Sequence, residues 1–142
     1  MKTLLLVEDG EVETFLVIRA LERAGSPCSL ESVKDGDQAV EYLSGTGPYA
    51  DRSLYPMPEA ILLDLNMPGR NGLQVLQWIR DQPALVNLPV SVLTKSLEPT
   101  DVQEAYRLGA KAYLVKPGNM DGLEKILLNI TQDWLFPGSH AE

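Results

Sequence analysis

The chain has 142 residues, 44% hydrophobic and 23% charged, a profile of one globular domain able to bury roughly 68–70% of its unfolded surface without disulfide or metal staples. Twelve Lys+Arg against twenty Asp+Glu leave a formal charge of −8, which repels a phosphate backbone and argues against direct nucleic-acid binding. The single cysteine, Cys28, excludes an internal disulfide or a cysteine-rich zinc site, and no apolar run approaches the ~20 residues of a membrane span, so a cytoplasmic location is expected.

Residues 4–7 (LLLV) are the first short apolar run, and Glu8 and Asp9 follow it directly. Val12, Phe15, Leu16 and Ala20 then mark a helical stripe that Gly25 ends. A second run at 29–33 leads to a short helix around Ala39, Val40 and Leu43. Residues 44–58, rich in tyrosine and proline, form one long loop, a length that reads as functional or mobile. The run at 60–63 ends at Asp64, and Gly72, Val75, Leu76 and Ile79 stripe the helix behind it. The run at 90–93 ends at Thr94, before a helix marked by Val102, Ala105 and Leu108 and stopped by Gly109. The run at 112–115 ends at Lys116-Pro117, and Leu123, Ile126, Leu127, Ile130 and Trp134 stripe a last amphipathic helix. One domain over 1–136 with a flexible tail at 137–142 follows.

Runs of four or five apolar residues read as strands buried on both faces. Five of them alternating with five helices predict an α/β fold with right-handed crossovers, a doubly wound parallel sheet in the order 2-1-3-4-5. Ligands of such sheets bind outside the carboxyl ends of the strands. Glu8, Asp9, Asp64, Thr94 and Lys116 all stand there. Taken singly, each has a plainer explanation: helix-dipole partner, turn former, helix cap, surface charge. Together on one sheet edge they predict a site. Clustered carboxylates repel unless a cation lies between them, and hard oxygen donors favour Mg2+. A carboxylate beside Mg2+, an ammonium and a hydroxyl is equipped to attack a phosphoryl group, with aspartyl phosphate as the product.

The stretches LLLVEDGE, ILLDLNMPGRNG, SVLTKS and GAKAYLVKP, in this order and spacing, resemble the receiver domain of two-component response regulators over residues 1–136. The resemblance implies a flavodoxin-like fold with Asp64 as phosphoacceptor. It implies Mg2+ held by Asp9, Asp64 and the main-chain carbonyl of Asn66, with Glu8 acting through water. It maps Thr94 onto the switch hydroxyl, Lys116 onto the phosphate-binding lysine and Tyr113 onto the rotating aromatic of the fifth strand. The Lys116–Pro117 peptide is frequently cis in that family, although chemistry alone makes cis the minority form. The implied function is a single-domain regulator that accepts a phosphoryl group from a sensor histidine kinase. It would catalyse only its own phosphorylation and slow dephosphorylation, and is not expected to be an enzyme acting on an external substrate. The surface of the fourth helix, fifth strand and fifth helix would carry the signal and a homodimer. A narrower resemblance, carried by the loop at 44–58, the wording DLNMP and Asp133-Trp134-Leu135, is to stand-alone regulators encoded beside bacterial phytochromes, making a phytochrome-type photoreceptor kinase the candidate partner.

Gly10, Arg70 and Lys95 depart from that pattern: Asp or Asn, an apolar residue and a small residue are usual there. Other phosphate chemistries fit less well. A phosphatase working through an aspartyl phosphate would want an acid where Asn66 stands, a flavodoxin would not place Glu8, Asp9, Glu11 and Glu13 in its phosphate loop, and no P-loop is present. The one histidine, His140, lies in the tail, so the phosphoryl group must come from another molecule.

Overall fold

Strand β1 (Lys2–Val7) holds five consecutive buried residues, and its two-residue alternation divides the core into two. Leu5 and Val7 point to one side of the sheet, among Ala39, Tyr42, Leu43, Val75, Leu76, Ile79, Ala105 and Leu108. Leu4 and Leu6 point to the other, among Val17, Ala20, Leu21, Leu123, Leu127 and Ile130. The structure is a computed structural model describing residues 2–135. Around β1 the chain runs α1 (Glu11–Ala24), β2 (Cys28–Val33), α2 (Gly36–Ser44), β3 (Ala60–Leu63), α3 (Gly72–Arg80), β4 (Val90–Thr94), α4 (Pro99–Arg107), β5 (Ala112–Val115) and α5 (Met120–Leu135). All neighbouring strands are parallel and their order is 2-1-3-4-5, as expected.

Local chemistry explains the helix boundaries. Asp35 caps α2 by accepting from the Gln38 N–H, Asn71 and Gln74 form a reciprocal capping box on α3, and Gly25 ends α1 in the left-handed region at φ 67°. The stripes of α3, α4 and α5 are buried largely as predicted. The tail and the side chain of Trp134 lie outside the described residues.

Three expectations are corrected. First, β2 and β5 are not buried on both faces, because the strand order places them at the two sheet edges, where helices cover them only partly. Second, the stripe of α1 is rotated. Val17, Ala20 and Leu21 face the sheet, while Val12, Phe15 and Leu16 are exposed, Val12 and Phe15 by more than 60%. Apolar residues surround this helix, so periodicity alone left its phase open, and packing of α1 beside α5 settles it. Third, the loop at 45–59 is tightly tied. It contains a 3-10 turn at Gly47–Tyr49, and the rings of Tyr42, Tyr49 and Tyr55 stack edge to face or tilted at 5.1–6.1 Å. Arg52 lies over the Tyr42 ring and donates to the carbonyls of Leu43 and Tyr55, and the Tyr42 hydroxyl donates to the Pro56 carbonyl. No peptide bond among the described residues is cis, so Lys116–Pro117 is trans here.

Candidate functional site

The ladder hydrogen bonds continue one residue past the strand ends and aim the side chains of the site. The Glu8 N–H donates to Val33, the Asp64 N–H to Val7 and the Lys116 N–H to the Thr94 carbonyl, at 2.8–3.1 Å. Gly72 lets α3 start against this edge, since a Cβ there would lie 2.3 Å from the Asp64 carbonyl oxygen.

Glu8 and Asp64 are almost completely buried, at 4% and 6% exposure, whereas Asp9 is exposed. Lys116 Nζ donates to Glu8 Oε1 at 2.6 Å and to Asp64 Oδ2 at 3.1 Å. Asp64 Oδ1 accepts from the Asn66 N–H at 3.2 Å, and Glu8 Oε2 from the Gly10 N–H at 3.1 Å. Burial pushes the Glu8 carboxyl above its ordinary range; the Lys116 and Gly10 hydrogen bonds oppose this, and Asp64 adds to it. Burial pulls the Lys116 ammonium down, but the Glu8 hydrogen bond and the Asp64 and Glu8 charges more than offset it, and the net direction is up.

Carboxylate oxygens of Glu8, Asp9 and Asp64 lie within 4.8 Å of one another, a spacing that could hold one metal ion. Three carboxylates against one ammonium leave an excess of negative charge, and the all-oxygen donor set suits a hard cation. Asn66 joins these three acids in lining a cavity of about 250 Å3, with Gly10, Glu13, Lys95 and Lys116. Arg70 is not among the lining residues; it pairs instead with Asp37 of α2 at 3.4 Å.

Thr94, fully buried, and Tyr113, half-buried, are joined through Ser96, a residue the sequence reading passed over. The Ser96 N–H points at Thr94 Oγ1 at 3.4 Å, and the Tyr113 hydroxyl donates to the Ser96 carbonyl at 2.9 Å. The Ser96 hydroxyl donates to Asp101 in the first turn of α4 at 2.6 Å, and the Tyr113 N–H donates to the Tyr106 hydroxyl. Only the position two residues after Thr94, at the mouth of a helix, could have signalled Ser96. The structure thus brings Glu8, Asp9, Asp64, Asn66 and Lys116 into one cavity, whereas Thr94 and Tyr113 are not among its lining residues and are joined to each other through Ser96.

Residues 4–128 match the model of the response regulator receiver domain. The chain belongs to this family. The receiver is 37% identical over 134 residues to response regulator Rcp1 of Synechocystis sp., covering 94% of this chain and 89% of Rcp1. It superimposes on the crystal structure of the Mn(2+)-bound form of Rcp1 with a TM-score of 0.85, 36% identity and 96% coverage of each chain. Against the phosphorylated cyanobacterial phytochrome response regulator RcpA the TM-score is 0.86, with 36% identity and coverage of 95% of this receiver and 94% of that chain. Among the described residues no helix is long and apolar enough to cross a membrane.

Proposed function

We propose that this receiver accepts a phosphoryl group on Asp64 from a sensor histidine kinase in the cytoplasm and passes the signal on through a protein surface. The observation that carries the reading is Asp64 itself, a buried carboxylate opening on an acidic cavity with the Lys116 ammonium 3.1 Å from one of its oxygens. An Asp64 oxygen forms the bond to phosphorus as the bond from phosphorus to the donor nitrogen breaks, and that nitrogen leaves with the electron pair. Lys116 uses two of its three N–H donors on Glu8 and Asp64, leaving the third for a phosphoryl oxygen. Mg2+, held by Asp9, Asp64 and the Asn66 carbonyl with Glu8 behind water, would neutralise charge on the incoming group; manganese in Rcp1 supports a divalent ion. The phosphorylated form of RcpA supports the acceptor role.

The receiver turns over no external substrate in this reading. A phosphoryl oxygen draws the Thr94 hydroxyl, and Ser96 and Tyr113 relay the change to α4 and β5. Val12, Phe15 and Leu16 on α1, with a neighbouring groove formed by Leu16, Pro117 and Leu123, offer the kinase an apolar hold beside the cavity. Likeness to RcpA favours a phytochrome-type kinase as the donor's class. Incubation with acetyl phosphate and Mg2+ tests the proposal by intact mass. The wild type gains one phosphoryl group and Asp64→Asn none; labelling of Asp64→Asn, or unchanged labelling of wild type in excess chelator, contradicts it.

A further inference from the structure

Glu13 in the first turn of α1 and Lys95 in the turn after β4 face each other, with Lys95 Nζ 3.8 Å from Glu13 Oε2. Both line the cavity that contains Asp64, Asn66 and Lys116. The Glu13 carboxylate takes up the space beside Gly10, where there is no side chain. A Cβ on Gly10 would lie 2.0 Å from Glu13 Oε1, so the carboxylate occupies volume that any other residue would fill. Gly10 itself has φ −84°, a conformation open to every residue, and its contribution is therefore space and not backbone freedom. Gly10 and Lys95 thus belong to one arrangement, with Glu13 between them.

We propose that Glu13 and Lys95, seated over Gly10, form a strap at the mouth of the cavity that restricts water and prolongs the phosphorylated state. The proposal rests on Asp64 being the phosphoacceptor. Hydrolysis requires a water oxygen to bond to phosphorus opposite the Asp64 oxygen. The bond from phosphorus to Asp64 breaks with its electrons returning to the carboxylate, and the water proton passes to phosphate or solvent. Asp64 is 6% exposed, so this water enters through the cavity, and Glu13 draws the Lys95 ammonium toward α1. Glu13 and Lys95 are positioning residues: they act on access and take no part in bond making.

The test is the decay of purified protein labelled with acetyl phosphate and Mg2+, in wild type, Lys95→Ala, Glu13→Gln, Gly10→Ala, the double variant Glu13→Gln/Lys95→Ala and the charge swap Glu13→Lys/Lys95→Glu. Because Lys95 is exposed and Glu13 half-buried, each single variant should decay about two- to five-fold faster, and added salt should speed the wild type toward them. The double variant should decay no faster than the faster single, and the swap should restore slow decay. Wild-type decay in the single variants, independent effects in the double, or a swap as fast as the singles overturns the strap. Failure of the wild type to be labelled on Asp64 overturns instead the phosphoacceptor reading on which the strap rests.

Discussion

Lys116 binds Asp64 directly and its main-chain N–H donates to the carbonyl of Thr94 at the end of β4, yet the chemistry of the two side chains assigns them to different steps. Lys116 supplies a full charge and already binds both Glu8 and Asp64, so Lys116→Ala leaves two buried carboxylates facing each other without compensation. Thr94 offers one neutral hydrogen bond, worth roughly 0.5–1.5 kcal/mol net. Lys116→Ala should therefore sharply reduce phosphorylation or the response to it. Thr94→Ala should leave labelling largely intact and lose the change around Ser96 and Tyr113, read from NMR shifts of those residues with and without phosphodonor. Equal labelling and equal shift changes in both variants would refute this division. Glu8, Asp9, Asp64, Thr94 and Lys116 are legible in the sequence because each follows an apolar run, and strand ends in a parallel sheet converge. Ser96 and Glu13 are not, because their roles depend on where a turn and a first helical turn bring them, which no local pattern records.

At the scale of elements, helix α1 and the loop after α2 show where pattern reading fails. A helix apolar on most sides has no unique stripe, and the choice of Val17, Ala20 and Leu21 over Val12, Phe15 and Leu16 comes from the sheet and α5. The loop at 44–58 reads as functional or mobile from length alone; three rings and an arginine tie it to α2, which removes the mobile reading. Tyr42, 1% exposed, is the centre of that packing, and its phenol is pushed up to about 12, chiefly by burial and next by the Glu31 carboxylate, with Arg52 opposing. Its folded value lies above the unfolded one, so the stability it contributes is complete below pH 10 and is lost as pH rises through about 12. The full loss is on the order of 2–3 kcal/mol. Ultraviolet titration should show one phenol ionising last in the wild type, and Tyr42→Phe should remove it and flatten the fall in denaturation free energy across that window. Wild type and Tyr42→Phe profiles that coincide would show that the Tyr42 hydroxyl is not held in its buried contact with the Pro56 carbonyl.

For the molecule as a whole, the five-stranded order followed from counting alternating runs and helices, while the incomplete cover of β2 and β5 followed only from that order. Edge strand β5 and helix α4 leave Tyr106 and Val115 at least 40% exposed, and the Tyr106 hydroxyl accepts the Tyr113 N–H beside them. This surface lies beside Tyr113, which is joined through Ser96 to Thr94, and a phosphorylation-dependent homodimer through it is the expectation to be tested. Sedimentation should show more self-association with a phosphoryl mimic than without, and Val115→Glu should suppress the increase. Monomers at high concentration in both states would remove the dimer and leave the phosphoacceptor untouched. The central claim, an acyl phosphate on Asp64, is tested most directly by borohydride reduction of the labelled protein followed by peptide mass mapping. Reduction of an aspartyl phosphate converts that residue to homoserine; the account predicts the conversion at position 64 alone, and dependent on Mg2+. Phosphorylated protein with no homoserine, or with homoserine at another acidic position, would contradict it.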